Sequence, residues 1–215
     1  MASSAEHGTR ERIVEVAEAF LGARGYHGTR LHLIAEQVGI QKASLFHYFA
    51  SKEDLYRAVL DEGFGETEQT IRQVLATEAG PVEKLRALVE SYVDMVAAHP
   101  ARTRILLRQS LGDVPGALEP PAYPERVLRL VAGFITQGQQ AGVFAPVDPL
   151  ALVLAVVGMV AFFFTSAPVM APGWCAGAHG SVDAARIKRH VLEMVERCLA
   201  VGEGATAAGP RAAHA

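Results

Sequence analysis

The clearest pattern of apolar and polar positions lies in residues 29–52. A short amphipathic helix is predicted from apolar positions at the i, i+3, i+4 and i+7 spacing of one helical face: Leu31, Ile34, Ala35 and Val38. Gly39 interrupts this pattern, as a left-handed helix-ending residue does. A second short helix is predicted from about Gln41, with Leu45 and Phe49 one turn apart as its inward anchors. Two short helices, a tight turn and a polar outer face on the second helix indicate a helix-turn-helix, whose second helix can enter a DNA major groove.

The flanking segments also have helical patterns. A first helix is predicted to begin after Thr9 as N-cap. Its apolar stripe consists of Ile13, Val14, Ala17, Phe20 and Leu21. Thr29 is expected to cap the next helix, and Ser51 with Asp54 predicts a capping box for the fourth.

Further helices are predicted along the middle of the chain. One begins at Gly80-Pro81 and ends at His99-Pro100. Its stripe consists of Val82, Leu85, Leu88, Val89, Tyr92, Val93 and Val96. A second runs through Ile105 to Leu111, and a proline-rich mobile loop is predicted over residues 112–124. A third helix, with Val127, Leu128, Val131, Phe134 and Ile135 as its stripe, ends near Gly142.

Residues 149–171 contain no charged side chain. Asp148-Pro149 predicts a helix start, and the segment is long and apolar enough to span a membrane on hydropathy alone. The alternative is a helix packed between a domain core and a partner subunit, where apolar residues are expected all round. The absence of basic residues before the segment, and Pro168 and Pro172 near its end, favour this alternative.

The last helix is predicted over residues 182–201. Its stripe consists of Ile187, Val191, Met194, Val195 and Cys198. Residues 202–215 are small and polar with no apolar anchor, so a disordered tail is predicted.

The amino-acid composition limits the fold class and the cellular location. An apolar fraction of 50%, a mean hydropathy of +0.19 and a scarcity of strand-like alternation predict an all-α protein. The net charge of −3 means that any DNA-binding surface is local. Cys175 and Cys198 are too few for a zinc motif or a disulfide framework, which favours buried or half-buried thiols in a reducing cytoplasm. The first residues lack the features of a signal peptide, so a cytoplasmic location is predicted.

About a quarter of the chain resembles the DNA-binding domain of the TetR family of bacterial transcriptional regulators. The resemblance is carried by Ile13-Val14, Ala17, Phe20, Gly25-Tyr26, Thr29, Ile34-Ala35, Gly39-Ile40, Leu45-Phe46, Tyr48-Phe49 and Ser51 to Leu55. It implies an N-terminal three-helix helix-turn-helix domain over residues 9–65, and a C-terminal helical effector-binding and dimerisation domain over residues 66–201. It also implies a homodimer through the last two helices. Gly63 and Gly65 weaken the fourth helix by about 1 kcal/mol each relative to alanine. The family architecture favours a flexible connection between the DNA-binding domain and the C-terminal domain at these glycines. The alternative is that glycine is tolerated there because the position is on the surface.

A dimer of such domains binds a palindromic operator of double-stranded DNA, with half-sites about 34–36 Å apart or a multiple of that spacing. The predicted DNA-contacting residues lie on the two helices of the motif and at the start of the fourth helix: Arg30, His32, Gln41, Lys42, Ala43, Ser44, Phe46, His47, Tyr48 and Lys52. Lys42 can reach guanine or a phosphate, and Lys52 combines its charge with free N–H groups at a helix start. By resemblance, Tyr48 contacts a phosphate. For Phe46, packing and DNA contact remain equal alternatives.

Three positions depart from the family pattern. Gln41 stands where Ser or Thr is usual, Ala43 where Gly is usual, and Arg30 where a small hydroxyl residue is usual. Gln is a weak N-cap, so fraying or a different cap is expected at the start of the recognition helix. The departures leave the operator sequence open.

The resemblance implies a small-molecule effector among the middle helices. The predicted ligand-binding residues are aromatic and apolar side chains, with His99 and Arg102 as the polar groups: Tyr92, Met95, His99, Arg102, Phe134, Met159, Phe163 and Trp174. General preference for burial makes each of them a candidate for plain core as well. A small apolar or aromatic ligand is expected.

The leading hypothesis is a ligand-responsive homodimeric repressor, with activator left open because both use the same DNA-binding domain. A membrane-tethered helical protein is an alternative. A helical enzyme is disfavoured because the sequence has no nucleophile–base pair and no phosphate-binding glycine loop. No catalytic residue, metal site or cofactor is predicted.

Overall fold

The computed structural model describes residues 2–112, 114, 123–175 and 182–200, with side chains described from residue 8 and not at 123, 174 and 175. In these ranges the chain is all-α, as predicted. The helices in chain order are α1 (Ala2–Gly28), α2 (Leu31–Val38), α3 (Lys42–Tyr48), α4 (Lys52–Leu75), α5 (Pro81–Ala98), α6 (Pro100–Ser110), α7 (Tyr123–Gln140), α8 (Pro149–Thr165), α9 (Ala167–Met170), α10 (Pro172–Cys175) and α11 (Ala184–Leu199).

An N-terminal core is formed by α1 to α4. Its buried members include Ile13, Val14, Ala17, Leu21, Ile34, Ala35, Leu45, Phe49, Leu55 and Val59. The apolar stripes predicted for these helices therefore face one another. We call this unit the head.

Two predicted caps in the head are wrong. Thr9 lies inside α1, which begins at Ala2, so it is not an N-cap. Thr29 is buried and does not cap α2. Its hydroxyl donates to the carbonyl of Gly25 at 2.7 Å, because positive φ at Gly25 (70°) leaves that carbonyl outside the helical ladder. The N-cap of α2 is Arg30, which makes no side-chain capping bond.

The α4 helix continues without a break through Gly63 and Gly65 and links the head to the rest of the chain. Its cap is as predicted, since the Ser51 hydroxyl accepts the N–H of Asp54 at 3.0 Å. A Cβ at Gly63 would lie 3.0 Å from Cδ of Arg102, so this glycine allows the Arg102 side chain of α6 to lie close to α4.

A second core lies among α5, α7, α8 and α11. Its buried members include Leu85, Val89, Val93, Val96, Ile135, Val153, Val160, Ile187, Val191 and Val195. We call this unit the body. The predicted starts of α5 at Pro81 and of α8 at Pro149 are confirmed, and Asp148 accepts the N–H of Ala151 at 3.0 Å.

The charge-free segment does not form one long helix. It divides into α8 and α9, and α10 begins just after it at Pro172. None of the helices in the described ranges is long and apolar enough to cross a membrane.

The predicted stripe of α11 is partly wrong. Its buried face repeats every four residues, as Ile187, Val191, Val195 and Leu199. Met194 and Cys198 each precede a member of that face by one residue, about 100° round the helix, and are exposed. The expectation of a buried or half-buried thiol is therefore wrong for Cys198.

Other predictions fall outside the described residues. These are the tail at 202–215, most of the loop at 112–124, and the side chains of Trp174 and Cys175. Pro124 belongs to α7 rather than to the loop.

Candidate DNA-binding surface and ligand cavity

The turn between α2 and α3 has a fixed geometry. Gly39 adopts φ 85° and ψ 27°, a conformation that favours glycine. Its N–H donates to the carbonyl of Glu36 at 3.1 Å, and the N–H of Ile40 donates to that of Ala35 at 2.9 Å. These two bonds form a Schellman motif, which satisfies the last carbonyls of α2 and sets the direction of the chain into α3.

The α3 helix is attached to the head by one face. Leu45 is fully buried, and Phe49, which directly follows the helix, is 4% exposed. The opposite face is open, with Gln41, Lys42, Ala43, Phe46 and His47 exposed and Ser44 and Tyr48 half-buried. Arg30 and His32 are exposed at the start of α2. The structure therefore brings the predicted contact residues to the outer surface of the helix-turn-helix.

Phe46 lies on the open face rather than in the core. Its side chain is 43% exposed, and the ammonium of Lys42 lies 5.9 Å from the ring centroid. Gln41 is the N-cap and makes no side-chain capping bond, in line with its weakness as a cap.

Lys52 is held at the start of α4 by an aromatic ring. Its ammonium lies 4.5 Å from the centroid of Tyr26, a distance suited to a cation–π contact. Burial lowers the pKa of Lys52. The Tyr26 hydroxyl donates to Glu53 at 2.5 Å, and this bond lowers the pKa of the Glu53 carboxyl. Lys52 is thus positioned where the first N–H groups of α4 attract anions.

The body contains a cavity of about 400 Å³ between α4, α5, α7 and α8. This size lies within the range of small-molecule sites, about 300–1,000 Å³. Its apolar lining consists of Ile71, Leu85, Leu88, Val89, Met95, Ala98, Val127, Leu128, Val131, Ile135, Leu152, Val153, Val156, Val157 and Val195. Its polar lining consists of Glu66, Thr67, Thr70, Ser91, Tyr92, Asp94 and His99.

The predicted ligand residues separate into two groups in the structure. Tyr92, Met95 and His99 line the cavity. Phe134, Met159 and Phe163 are partly buried against the body core outside that lining, and Arg102 lies beyond its edge. Sequence reasoning missed the aliphatic side chains of α7 and α8, because their helical stripes look the same whether they face a neighbour or a void.

An ion-pair cluster joins the edge of the cavity to the head. Arg102 Nε donates to Glu18 of α1 at 2.7 Å, and its Nη1 donates to Glu66 of α4 at 2.5 Å. His99 Nδ1 lies 3.7 Å from the other oxygen of Glu18. Glu66 and His99 also line the cavity, so a molecule bound there would adjoin groups that contact the head.

Comparison with known proteins adds to this geometry. Residues 13–59 match the family described as bacterial regulatory proteins, tetR family, and residues 81–195 match the tetracyclin repressor-like C-terminal domain. The chain belongs to the TetR family. The resemblance seen in the sequence is confirmed, and the second match extends it over more than half of the chain.

Relatives and solved structures agree with this assignment. The HTH-type transcriptional regulator RutR of Escherichia coli K12 is 27% identical over 181 residues, 77% of this chain and 78% of RutR. The HTH-type transcriptional repressor KstR2 of Mycobacterium tuberculosis H37Rv is 29% identical over 143 residues, 64% of this chain and 70% of KstR2. The crystal structure of AibR in complex with isovaleryl coenzyme A and operator DNA has a TM-score of 0.68 at 24% identity. It covers 86% of this chain and 97% of AibR, and supports the fold. The protein is a TetR-family transcriptional regulator.

Proposed function

We propose that this TetR-family protein is a homodimeric repressor that binds a palindromic operator through α3 and is released by a small apolar or aromatic ligand in the body cavity. The exposed face of α3, held by Leu45 and the Gly39 turn, is the observation that supports DNA binding most directly. Residues 9–65 form the DNA-binding domain and residues 66–201 the effector-binding and dimerisation domain in this proposal, with α4 continuous across the boundary. The site of action is the cytoplasm.

Each predicted contact has a role in the proposal. Lys42 and Gln41 approach base edges at the start of α3, Ala43 allows close approach of the backbone, and Ser44 hydrogen-bonds to a base or a phosphate. Phe46 and His47 lie further along the groove. Tyr48, Lys52, Arg30 and His32 contact the phosphates on either side, which positions the helix without reading sequence.

Exposed apolar side chains on α8 support the dimer. Leu150, Leu154 and Phe162 are each between 46% and 49% exposed, and they follow one another at four- and eight-residue spacings on one helical face. Gly158 lies between them, and a Cβ there would meet nothing within 4 Å, so a partner helix can approach closely. Met194 on α11 is also exposed. A continuous apolar ridge of this kind is typical of a subunit interface.

A response to a ligand is supported by the cavity and by two similar proteins. KstR2 carries the name of a repressor, and the AibR structure holds isovaleryl coenzyme A together with operator DNA. A ligand acts as a switch only if it binds the non-DNA-binding arrangement more tightly. The Arg102 cluster provides a physical connection between the cavity edge and α1.

DNA binding is tested by fluorescence anisotropy on the intergenic DNA beside the protein's own gene, against random DNA of the same length. The proposal expects preference for a palindrome in the intergenic DNA. Lys42→Ala should weaken binding, whereas Arg129→Ala should not, because Arg129 is an exposed body residue paired with Glu125. Equal affinity for both DNAs would refute the proposal.

The dimer is tested by sedimentation. Leu154→Glu with Phe162→Glu should convert a dimer into a monomer. Val82→Glu, which places the same charge at an exposed apolar site on α5, should leave the dimer intact. A monomeric wild-type chain would rule out the dimer.

A further inference from the structure

The hydroxyl groups that line the cavity are not equally available to a ligand. Thr67 donates to the carbonyl of Gly63 at 2.9 Å, and Thr70 donates to that of Glu66 at 2.9 Å. Ser91 donates to the carbonyl of Leu88 at 3.1 Å. These three hydroxyls are therefore occupied by the backbone of their own helices. Tyr92 lines the same cavity and, within the part of the chain that the structure describes, its hydroxyl has no hydrogen-bond partner.

Tyr92 is a protonated hydrogen-bond donor in this setting. Burial raises the pKa of its phenol, because the phenolate is disfavoured away from water. A hydroxyl that faces a mainly apolar cavity is stabilised when a bound molecule offers it an acceptor. The lining leaves this acceptor to be supplied from within the cavity.

Besides His99 and the Tyr92 phenol, the ionisable groups of the lining are two carboxylates, both more than half exposed and both already paired. Glu66 accepts from Arg102 at 2.5 Å, and Asp94 lies 2.7 Å from the ammonium of Lys188. The two cations do not line the cavity. Among the described lining residues none is Lys or Arg, and the internal stretches outside the described ranges, residues 113, 115–122 and 176–181, contain neither type.

This arrangement disfavours ligands of either charge. An anionic ligand would leave water for a mainly aliphatic lining that offers no Lys or Arg to pair with it, which is costly. A cationic ligand would have to take Glu66 or Asp94 from an existing partner. An uncharged apolar molecule meets neither cost and gains from the aliphatic lining.

We infer that the effector is an uncharged, mainly apolar molecule with one carbonyl or hydroxyl oxygen that pairs with the Tyr92 hydroxyl, and that the cavity discriminates against carboxylates and ammonium compounds. The inference rests on the proposed function only in taking this cavity as the effector site.

The test uses four probes built on one skeleton: pentylbenzene, 4-pentylbenzyl alcohol, 4-pentylbenzoate and 4-pentylbenzylammonium. Each displaces the uncharged dye N-phenyl-1-naphthylamine from the full-length protein at pH 7. The alcohol is expected to bind at least tenfold more tightly than the benzoate and the ammonium compound. Binding of either charged probe as tightly as the alcohol, or of no probe at all, would overturn the inference.

Two variants locate the interaction. Tyr92→Phe should weaken the alcohol about fivefold, the equivalent of one neutral hydrogen bond of about 1 kcal/mol, and leave pentylbenzene unchanged. The hydrocarbon is the matched control, since it reports any change in the cavity itself.

Val156→Trp should fill the cavity and abolish dye binding, and a retained helical circular dichroism spectrum would show that the variant is folded. An unchanged alcohol affinity in Tyr92→Phe, or dye binding retained in folded Val156→Trp, contradicts the inference. If Val156→Trp does not fold, the Tyr92→Phe comparison decides.

The ligand-class inference and the repressor proposal can fail independently of each other. Anisotropy on operator DNA is measured on the same wild-type sample. Operator binding combined with preference for the benzoate would refute the ligand class alone. Absence of operator binding combined with preference for the alcohol would refute the repressor proposal and leave the ligand class standing.

Discussion

The crossing of α1 and α6 gives the sharpest test of how closely the helices of this protein pack. At Gly22 a Cβ would lie 2.7 Å from Cβ and 2.8 Å from Cα of Ala101. The Cα belongs to the backbone, so the clash cannot be relieved by a side-chain rotation. Gly22→Ala is therefore expected to push the two helices apart.

The magnitude follows from two opposing effects. Overpacking a close contact costs about 1–3 kcal/mol. Replacing a helical glycine by alanine returns up to about 1 kcal/mol through helix propensity. We expect Gly22→Ala to lower the free energy of unfolding by about 1–2 kcal/mol. Gly65→Ala is the matched control, because a Cβ at this helical glycine meets nothing within 4 Å, and it should gain about 0.5–1 kcal/mol.

The assay is urea unfolding followed by circular dichroism at one protein concentration, so that the proposed dimerisation cannot change the comparison. The double variant Gly22→Ala with Ala101→Gly adds a second check. It should recover only part of the loss, because the Ala101 Cα remains 2.8 Å from the new methyl group. If Gly22→Ala is stabilised to the same extent as Gly65→Ala, the close approach of α1 and α6 is refuted.

Three further predictions concern charge. Lys52→Ala should reduce the slope of log K against log salt for operator binding by about 1, as measured by anisotropy at several salt concentrations, and an unchanged slope would exclude the proposed phosphate contact of Lys52. Arg102→Met leaves Glu18, whose side chain is 13% exposed, without its guanidinium partner, and should cost about 2–3 kcal/mol in urea unfolding; a cost below about 0.5 kcal/mol would contradict the pairing. The Tyr26 hydroxyl lowers the pKa of Glu53, so its stabilising contribution is full above the ordinary carboxyl pKa of about 4.3 and is lost as pH falls through the lowered folded-state pKa. Tyr26→Phe should reduce the loss of stability in that acidic window, and an identical pH profile in acid titrations monitored by circular dichroism would argue against the bond.

Local rules account for the elements that were predicted correctly. Gly39, Ser51 and Asp148 act through backbone groups within a few residues of themselves, so a short stretch of sequence contains the whole interaction. Thr29 shows where such rules fail. Its position before α2 fits the sequence pattern of an N-cap. The kink at Gly25 instead offers its hydroxyl the carbonyl of Gly25, at the end of α1.

The cavity was beyond local reasoning. Tyr92 and Met95 of α5 were predicted as ligand contacts and line it, while Phe134 of α7 and Phe163 of α8 were predicted on the same grounds and pack elsewhere. An apolar stripe predicts which face of a helix is buried. It does not predict whether that face packs against a neighbouring helix or lines a cavity.

The helical class, the helix-turn-helix and the family could be predicted from local runs of residues, because apolar periodicity, helix-ending residues and a dense motif are all contained in such runs. Three features became visible only in the folded chain: the void between α4, α5, α7 and α8, the pairing of Arg102 of α6 with Glu18 of α1, and the exposure of Met194 and Cys198. These properties depend on contacts between helices far apart in the chain. The distances and directions in such contacts are set by the packing of the whole molecule.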